Sequence, residues 1–202
     1  MLARAVTALP VGSGWAYEPK FDGYRMLAFR SKTGVELQSR QQRMLTDHFP
    51  DIAAAVAGVA RTAVLDGEVV IWQAGRFDFA ALQDRLRSGQ RRAHTLAAAV
   101  PAAYVVFDLL AVGRTDLRGQ TYWQRRDALE TLLGRGLPAG LVLTPSTTDP
   151  GVARSWLGGH GSVGSAGIEG SSRNVSTSPT APASAAGRNC APGSPSKPSS
   201  AA

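Results

Sequence analysis

The sequence has a single cysteine, Cys190, among 202 residues, so no disulfide can form within the chain and a disulfide-stapled scaffold is excluded. Histidine is almost as scarce. His48, His94 and His160 stand too far apart for the short ligand spacings of a zinc site. Long apolar runs are missing as well: the most hydrophobic stretch, Leu96 to Val112, is interrupted by Pro101 and Asp108. It falls short of the roughly 20 residues that a spanning helix needs, so no membrane association is expected. The first residues lack the basic start, apolar run and cleavage site of a secretory signal, and the expectation is a cytoplasmic protein.

Acidic residues are outnumbered, 15 against 22 lysines and arginines, for a formal net charge of +7. A basic chain suits a polyanionic partner, because lysine and arginine displace counterions from phosphates. The excess is unevenly spread. Residues 171–202 hold Arg173, Arg188 and Lys197 and no acid, which leaves a mild excess for the rest, and a solvated surface is a better account of that than a nucleic-acid groove.

What is present is a hydrophobic fraction of 44%, enough for one core, and an alternation of strand and helix patterns up to about residue 145. Trp15 to Glu18, Tyr24 to Phe29 and Val35 to Gln38 alternate apolar with polar residues between the turn-prone Phe-Asp-Gly and Lys-Thr-Gly, which predicts antiparallel strands. Phe49, Ile52, Val56 and Val59 share a helical face that Asp47 or Pro50 could open. Ala63 to Trp72 reads as a strand broken at Asp66-Gly67. Asp78 to Arg87 is helical, with Phe79, Leu82 and Leu86 on one side, whereas Tyr104 to Leu110 is a buried strand. Trp123 to Leu133 is a further amphipathic helix, Leu141 to Thr144 a last strand, and Val152 to Leu157 a short helix. From Ser171 onward serine, alanine, proline, glycine and threonine fill nearly every place, and such a composition predicts a disordered tail.

The sharpest signal is Glu18-Pro19-Lys20-Phe21-Asp22-Gly23-Tyr24-Arg25, which fits E-x-K-x-D-G-x-R. A lysine at a strand end beside a tight Asp-Gly turn can be held near phosphate and desolvated, and a lysine with a lowered pKa is a nucleophile. This segment resembles motif I of the covalent nucleotidyltransferases, the superfamily of ATP-dependent DNA ligases, RNA ligases and capping enzymes. Further segments follow in the family's order. Met1-Leu2-Ala3 and Trp15-Ala16-Tyr17 resemble the lead into motif I, Ser39-Arg40 resembles motif Ia, Leu65-Asp66-Gly67-Glu68 the L-D-G-E element, and Val106-Phe107-Asp108-Leu109-Leu110 motif III. Singly, Arg40 reads as an exposed base, Glu68 as a strand terminator and Phe107 as core. Arg125-Arg126 resembles an R-R-x-x-L segment of the same ligases, and helix solvation is an adequate account of it.

The resemblance covers residues 1–170 and implies an α+β adenylation domain of an ATP-dependent DNA ligase, with antiparallel sheets flanked by helices around an ATP cleft; the oligonucleotide-binding barrel of the family is not expected in this sequence. It implies ATP with Mg²⁺ or Mn²⁺ as cofactors and nicked double-stranded DNA as partner, in repair or recombination, acting as a monomer. Lys20 would attack ATP and carry AMP. Glu18 and Phe107 would read the adenine, Arg25 the ribose or phosphate, and Arg40 the nick phosphate. Glu68 would bind the ribose and, with Glu169, stand on the metal side. An RNA ligase or capping-type nucleotidyltransferase, and a remnant without catalysis, are the alternatives.

The pattern then breaks. Ile168-Glu169-Gly170 opens motif IV, E-G-[VI]-V-x-K, but Ser171 follows and neither its lysine nor the lysine pair of motif V arrives. Permitted codons for Ser171 onward, with one G restored before them, regroup to read V-V-A-K-R-L-D-Q-P-Y-R-P and then G-V-R-G-W-Q-K-L-R. That completes motif IV and supplies a motif V candidate. Although synonymous choices contribute, the lysines, tyrosine and tryptophan each take two bases fixed by Asn174, Asn189, Thr180 and Gly187. Residues 171–202 therefore read as a frameshift product, and the domain in residues 1–170 as incomplete. The expected consequence is an impaired enzyme.

Overall fold

The computed structural model describes residues 9–10, 12, 14–134 and 136–157, together with a strand at 171–175. Its main sheet is mixed and seven-stranded, with the order β3-β2-β4-β6-β7. These strands are β2 (Tyr24–Arg30), β3 (Val35–Ser39), β4 (Ala63–Gln73), β6 (Ala102–Val112) and β7 (Thr115–Asp116). Two short strands complete it: β5 (Arg76–Phe77) pairs antiparallel with β4, and β8 (Leu141–Leu143) runs parallel to β6. The long central β4 and β6 are rich in valine, leucine and isoleucine, as buried strands are.

The helices are α1 (Pro50–Ala57), α2 (Phe79–Arg87), α3 (Gln90–Ala99), α4 (Tyr122–Leu133) and α5 (Pro150–Leu157). Pro50 occupies the first turn of α1, where its missing N–H costs nothing. Asp78 caps α2 by accepting from Ala81 N at 2.8 Å. In α4 the Thr121 hydroxyl and the Gln124 side chain satisfy each other's backbone N–H groups, a reciprocal capping box. Ile52, Val56, Leu82, Leu129 and Leu133 join the sheet residues Met26, Leu37, Leu65, Ile71, Tyr104 and Val106 in one core.

Several expectations are met and others corrected. The α+β class with helices flanking a largely antiparallel sheet stands, and β8 adds a parallel pair that was not foreseen. β4 is not broken at Asp66-Gly67. It runs through, and only its pairing with β6 shifts register there and at Val64/Leu65. β1 (Trp15–Pro19) does not join β2 but forms a separate two-stranded sheet with β9 (Ser171–Val175), Glu18 opposite Ser172. It is also tied by paired backbone hydrogen bonds between Tyr17 and Thr147, at 2.8 and 3.0 Å. The expected disordered tail thus begins as a strand, since an open strand edge offers backbone groups to any sequence that can extend; residues 176–202 lie outside the described residues. Phe79, expected on the buried side of α2, is half exposed. α3 was not anticipated.

Candidate active site

Four of the candidate residues form a continuous cluster where β1 ends and β2 and β4 pair. Arg25 on β2 lies opposite Glu68 on β4. Glu68 reaches back across the loop that follows Lys20, accepting the Gly23 N–H at 3.1 Å through Oε2. Gly23 is needed there, because an added Cβ would stand 2.6 Å from the Val69 carbonyl oxygen. Burial pushes the Glu68 carboxyl above its usual range, and the Gly23 hydrogen bond and the nearby Lys20 and Arg25 cations counter that push.

Lys20 projects from the end of β1 with its side chain 44% exposed, and its Nζ donates to Asp22 Oδ1 at 2.9 Å. The amine is therefore accessible from outside while standing over a partly buried carboxylate. Arg25 carries a second positive charge into the same site. It donates through Nε and Nη2 to the two Asp66 oxygens at 3.0 and 2.6 Å, and its guanidinium sits 5.4 Å from the centroid of the Phe107 ring. The hydrogen bond to Asp66 raises the Arg25 pKa. Asp66 is buried and its carboxyl is pushed up by burial in spite of Arg25, whereas the Arg25 side chain stays 41% exposed.

Behind the cluster, Tyr104 is fully buried and its hydroxyl is shared between the Met26 and Leu65 carbonyls at 2.8 and 3.1 Å. Gly67 makes room for that ring: a Cβ there would approach it to 2.7 Å. Burial pushes the Tyr104 phenol far up, which keeps it a neutral donor that fastens β2 to β4 beneath Arg25.

The remaining candidates stand elsewhere. Glu18, only 2% exposed, is held by α4: Tyr122 donates to its Oε1 at 2.7 Å, and Arg126 Nη1 does so at 3.3 Å. A carboxylate can only accept, so the Tyr122 hydroxyl donates to Glu18 and accepts from Ser146 Oγ at 2.9 Å. Arg126 also binds Glu130 at 2.6 Å. Arg40 is exposed just beyond β3, in a turn closed by Gln42 N donating to the Ser39 carbonyl at 2.8 Å. Glu169, like the Met1-Leu2-Ala3 segment, lies outside the described residues. Among the described residues no three acids, histidines or cysteines gather as a preformed metal cage.

Sequence reasoning read the arginines of α4 as solvated, and the structure buries both. Arg125, 1% exposed, makes a two-pronged pair with Asp108, Nε at 2.8 Å and Nη2 at 3.0 Å, and donates to the Gln120 carbonyl at 2.8 Å. Both arginines are buried pairs rather than solvated charges. The signal was available in their spacing: Arg125, Leu129 and Leu133 recur every four residues, which places Arg125 on the buried face.

Comparison with known proteins gives the family of the fold. Residues 1–157 match the family model described as "ATP dependent DNA ligase domain". The chain is 42% identical over 161 residues to DNA ligase C of Mycobacterium tuberculosis, covering 78% of this chain and 44% of that protein. It is 43% identical over 158 residues to DNA ligase C2 of Mycolicibacterium smegmatis, with the same coverage. It thus spans less than half the length of these relatives. Among solved structures, the ligase domain of M. tuberculosis LigD superposes with a TM-score of 0.65 at 28% identity, over 83% of this chain and 50% of that one. A mycobacterial DNA ligase D complexed with ATP and MES gives 0.60 at 29%, over 80% of this chain and 49% of that one. With the family model matched from residue 1 to residue 157 and the same fold in solved ligase domains, this chain belongs to the ATP-dependent DNA ligase domain family.

Proposed function

We propose that this chain carries the nucleotide-binding, lysine-adenylating part of an ATP-dependent DNA ligase, with Lys20 as the nucleophile. The observation that supports it most is the contiguity of Lys20, Glu68, Arg25 and Phe107, an accessible amine beside a carboxylate, a cation and a ring. In the reaction, Lys20 Nζ gives up a proton, for which Asp22 Oδ1 at 2.9 Å is a placed acceptor, and forms a bond to the ATP α-phosphorus. The bond from that phosphorus to the bridging oxygen breaks, and pyrophosphate leaves. The AMP then passes to the 5′-phosphate of a nick, and the adjoining 3′-hydroxyl displaces it. Arg25 neutralises phosphate charge from the face of β2. Phe107 offers its ring to the adenine, Glu68 its carboxylate to the ribose, Glu18 its carboxylate to the adenine edge, and Arg40 its guanidinium to the nick phosphate.

Mg²⁺ or Mn²⁺ fits this reading through Glu68, since such an ion is commonly held by one or two carboxylates together with substrate phosphates; Glu169 is the second candidate. The ion would supply charge neutralisation at the triphosphate. Nothing in residues 171–196 replaces the motif IV and V lysines, so the chain as it stands transfers AMP to Lys20 slowly or not at all. A thermal melt with and without ATP and Mg²⁺ tests the pocket. A ligand at about 100 times its Kd adds about 2.7 kcal/mol to the folded state, so a clear upward shift is expected in the parent chain and its loss in Phe107→Ala. An equal shift in Phe107→Ala would remove the ring from the site.

A further inference from the structure

The proposed function places one phosphate contact, Arg40, outside the adenylation cluster. Further exposed arginines stand at the same end of the sheet. The register fixes where they stand: Ser39 lies opposite Met26, which lies opposite Gly67, so the end of β3 and the Lys20 cluster share one end of the sheet. The segment from α2 to α3 connects β4 to β6 at that same end, where Ile71 pairs with Ala102. Two side-chain bonds seat this segment against the loop that follows Arg40. Arg43 Nη2 donates to the Leu86 carbonyl at 3.4 Å, and Gln90 Nε2 donates to Asp47 at 3.2 Å.

The exposed arginines at this end are Arg40, Arg43, Arg87 and Arg91, and Arg91 also lines an open concavity of about 720 Å³ with Gly89, Gln90, Arg92, Thr95 and Leu96. Local acids do not neutralise them. Asp84 is engaged by Arg92 at 2.8 Å and Asp51 by the buried Arg85 at 3.1 Å; Asp47 keeps its charge, accepting from the neutral Gln90 amide, and forms no ion pair with any of the four. Arg40, Arg43, Arg87 and Arg91 pair with no carboxylate among the described residues. Like charges kept together without counter-charges cost the fold electrostatic energy, and a regularly charged polyanion relieves it by counterion release.

We infer that the Arg43–Arg87–Arg91 face, at the junction of the β3 loop with α2 and α3, is a track for the phosphate backbone of duplex DNA, extending the path that begins at Arg40. The inference rests on the ligase reading for its partner and adds the residues that hold the duplex beyond the nick. The sheet's other end supplies an internal control: Arg114 lies in the turn after β6, past Val112, which pairs with Ala63 at the far end of β4.

The test is a salt titration of full-length chain binding to a fluorescent nicked duplex, followed by anisotropy. Each phosphate neutralised contributes about 0.9 to the slope of log K against log salt, so Arg87→Gln/Arg91→Gln should lower the slope by roughly 2. Its disadvantage against the parent chain should then shrink about tenfold between roughly 50 and 200 mM salt. Arg114→Gln should match the parent chain, and the melting midpoint of the double variant should be no lower than that of the parent chain. An unchanged slope in the double variant, while the parent chain binds, overturns the track and leaves the ligase reading intact. A parent chain that binds no duplex overturns both, and a slope change seen with single-stranded but not duplex DNA overturns the assignment of partner.

Discussion

Glu68 holds its charge against the preference of its surroundings. Burial raises its carboxyl above the ordinary 4.5, and Gly23, Lys20 and Arg25 offset part of that. A carboxyl whose pKa rises on folding binds its proton more tightly in the native state, so stability falls as pH climbs from the unfolded value through the folded one. Glu68→Gln keeps an oxygen for the Gly23 N–H and removes the charge. Its melting midpoint is expected to exceed that of the parent chain at neutral pH, with the gap closing below pH 4.5. A gap that does not vary with pH would mean that the charge is not its cause. Next to it in the chain, Gly67 is tested by size alone. An added methyl would meet the Val105 carbonyl oxygen at 2.5 Å and the Tyr104 ring at 2.7 Å, so Gly67→Ala should lower stability by about 1–3 kcal/mol in urea unfolding.

Among the elements, α4 does the most to join the two sheets. Its Arg126 and Tyr122 hold Glu18 on β1, and its Arg125 holds Asp108 on β6. Removing one partner of a buried pair strands the other charge, and Arg125→Ala should cost about 3–5 kcal/mol. Replacing both partners with apolar residues, Arg125→Met with Asp108→Leu, should recover much of that loss; a double variant as unstable as Arg125→Ala would show that packing, not the stranded charge, sets the cost. The pattern of leucines made α4 legible in the sequence, but charge suggested solvent for Arg125 and Arg126 because their carboxylate partners are 17 and 108 positions away. Asp66-Gly67 misled for a related reason: the dipeptide has turn composition, yet Arg25 pairs the aspartate and Tyr104 fills the space the glycine leaves. α3 was illegible because only Ala93 of its ten residues is buried, so it has little apolar period to read.

For the molecule as a whole, candidate residues could be named from the sequence, while the topology that gathers them could not. Motif I fixes Lys20 and Arg25 within one short segment, and Glu68 and Phe107 follow in distinctive local contexts, so their meeting follows once β2, β4 and β6 are neighbours. β1's partners were out of reach, since which edge a strand joins depends on segments more than 100 residues away. The break after Gly170 also acts at this scale, because the missing lysines would come from chain beyond it. The most direct measurement is labelling with α-³²P-ATP and Mg²⁺, applied to the chain as written and to a version with the frame restored after Gly170, each alongside Lys20→Ala. The restored chain is expected to gain an acid-labile label that Lys20→Ala abolishes, with far less label on the chain as written. Label that persists in Lys20→Ala, or a restored chain that takes none, would contradict the assignment of Lys20 as the nucleophile.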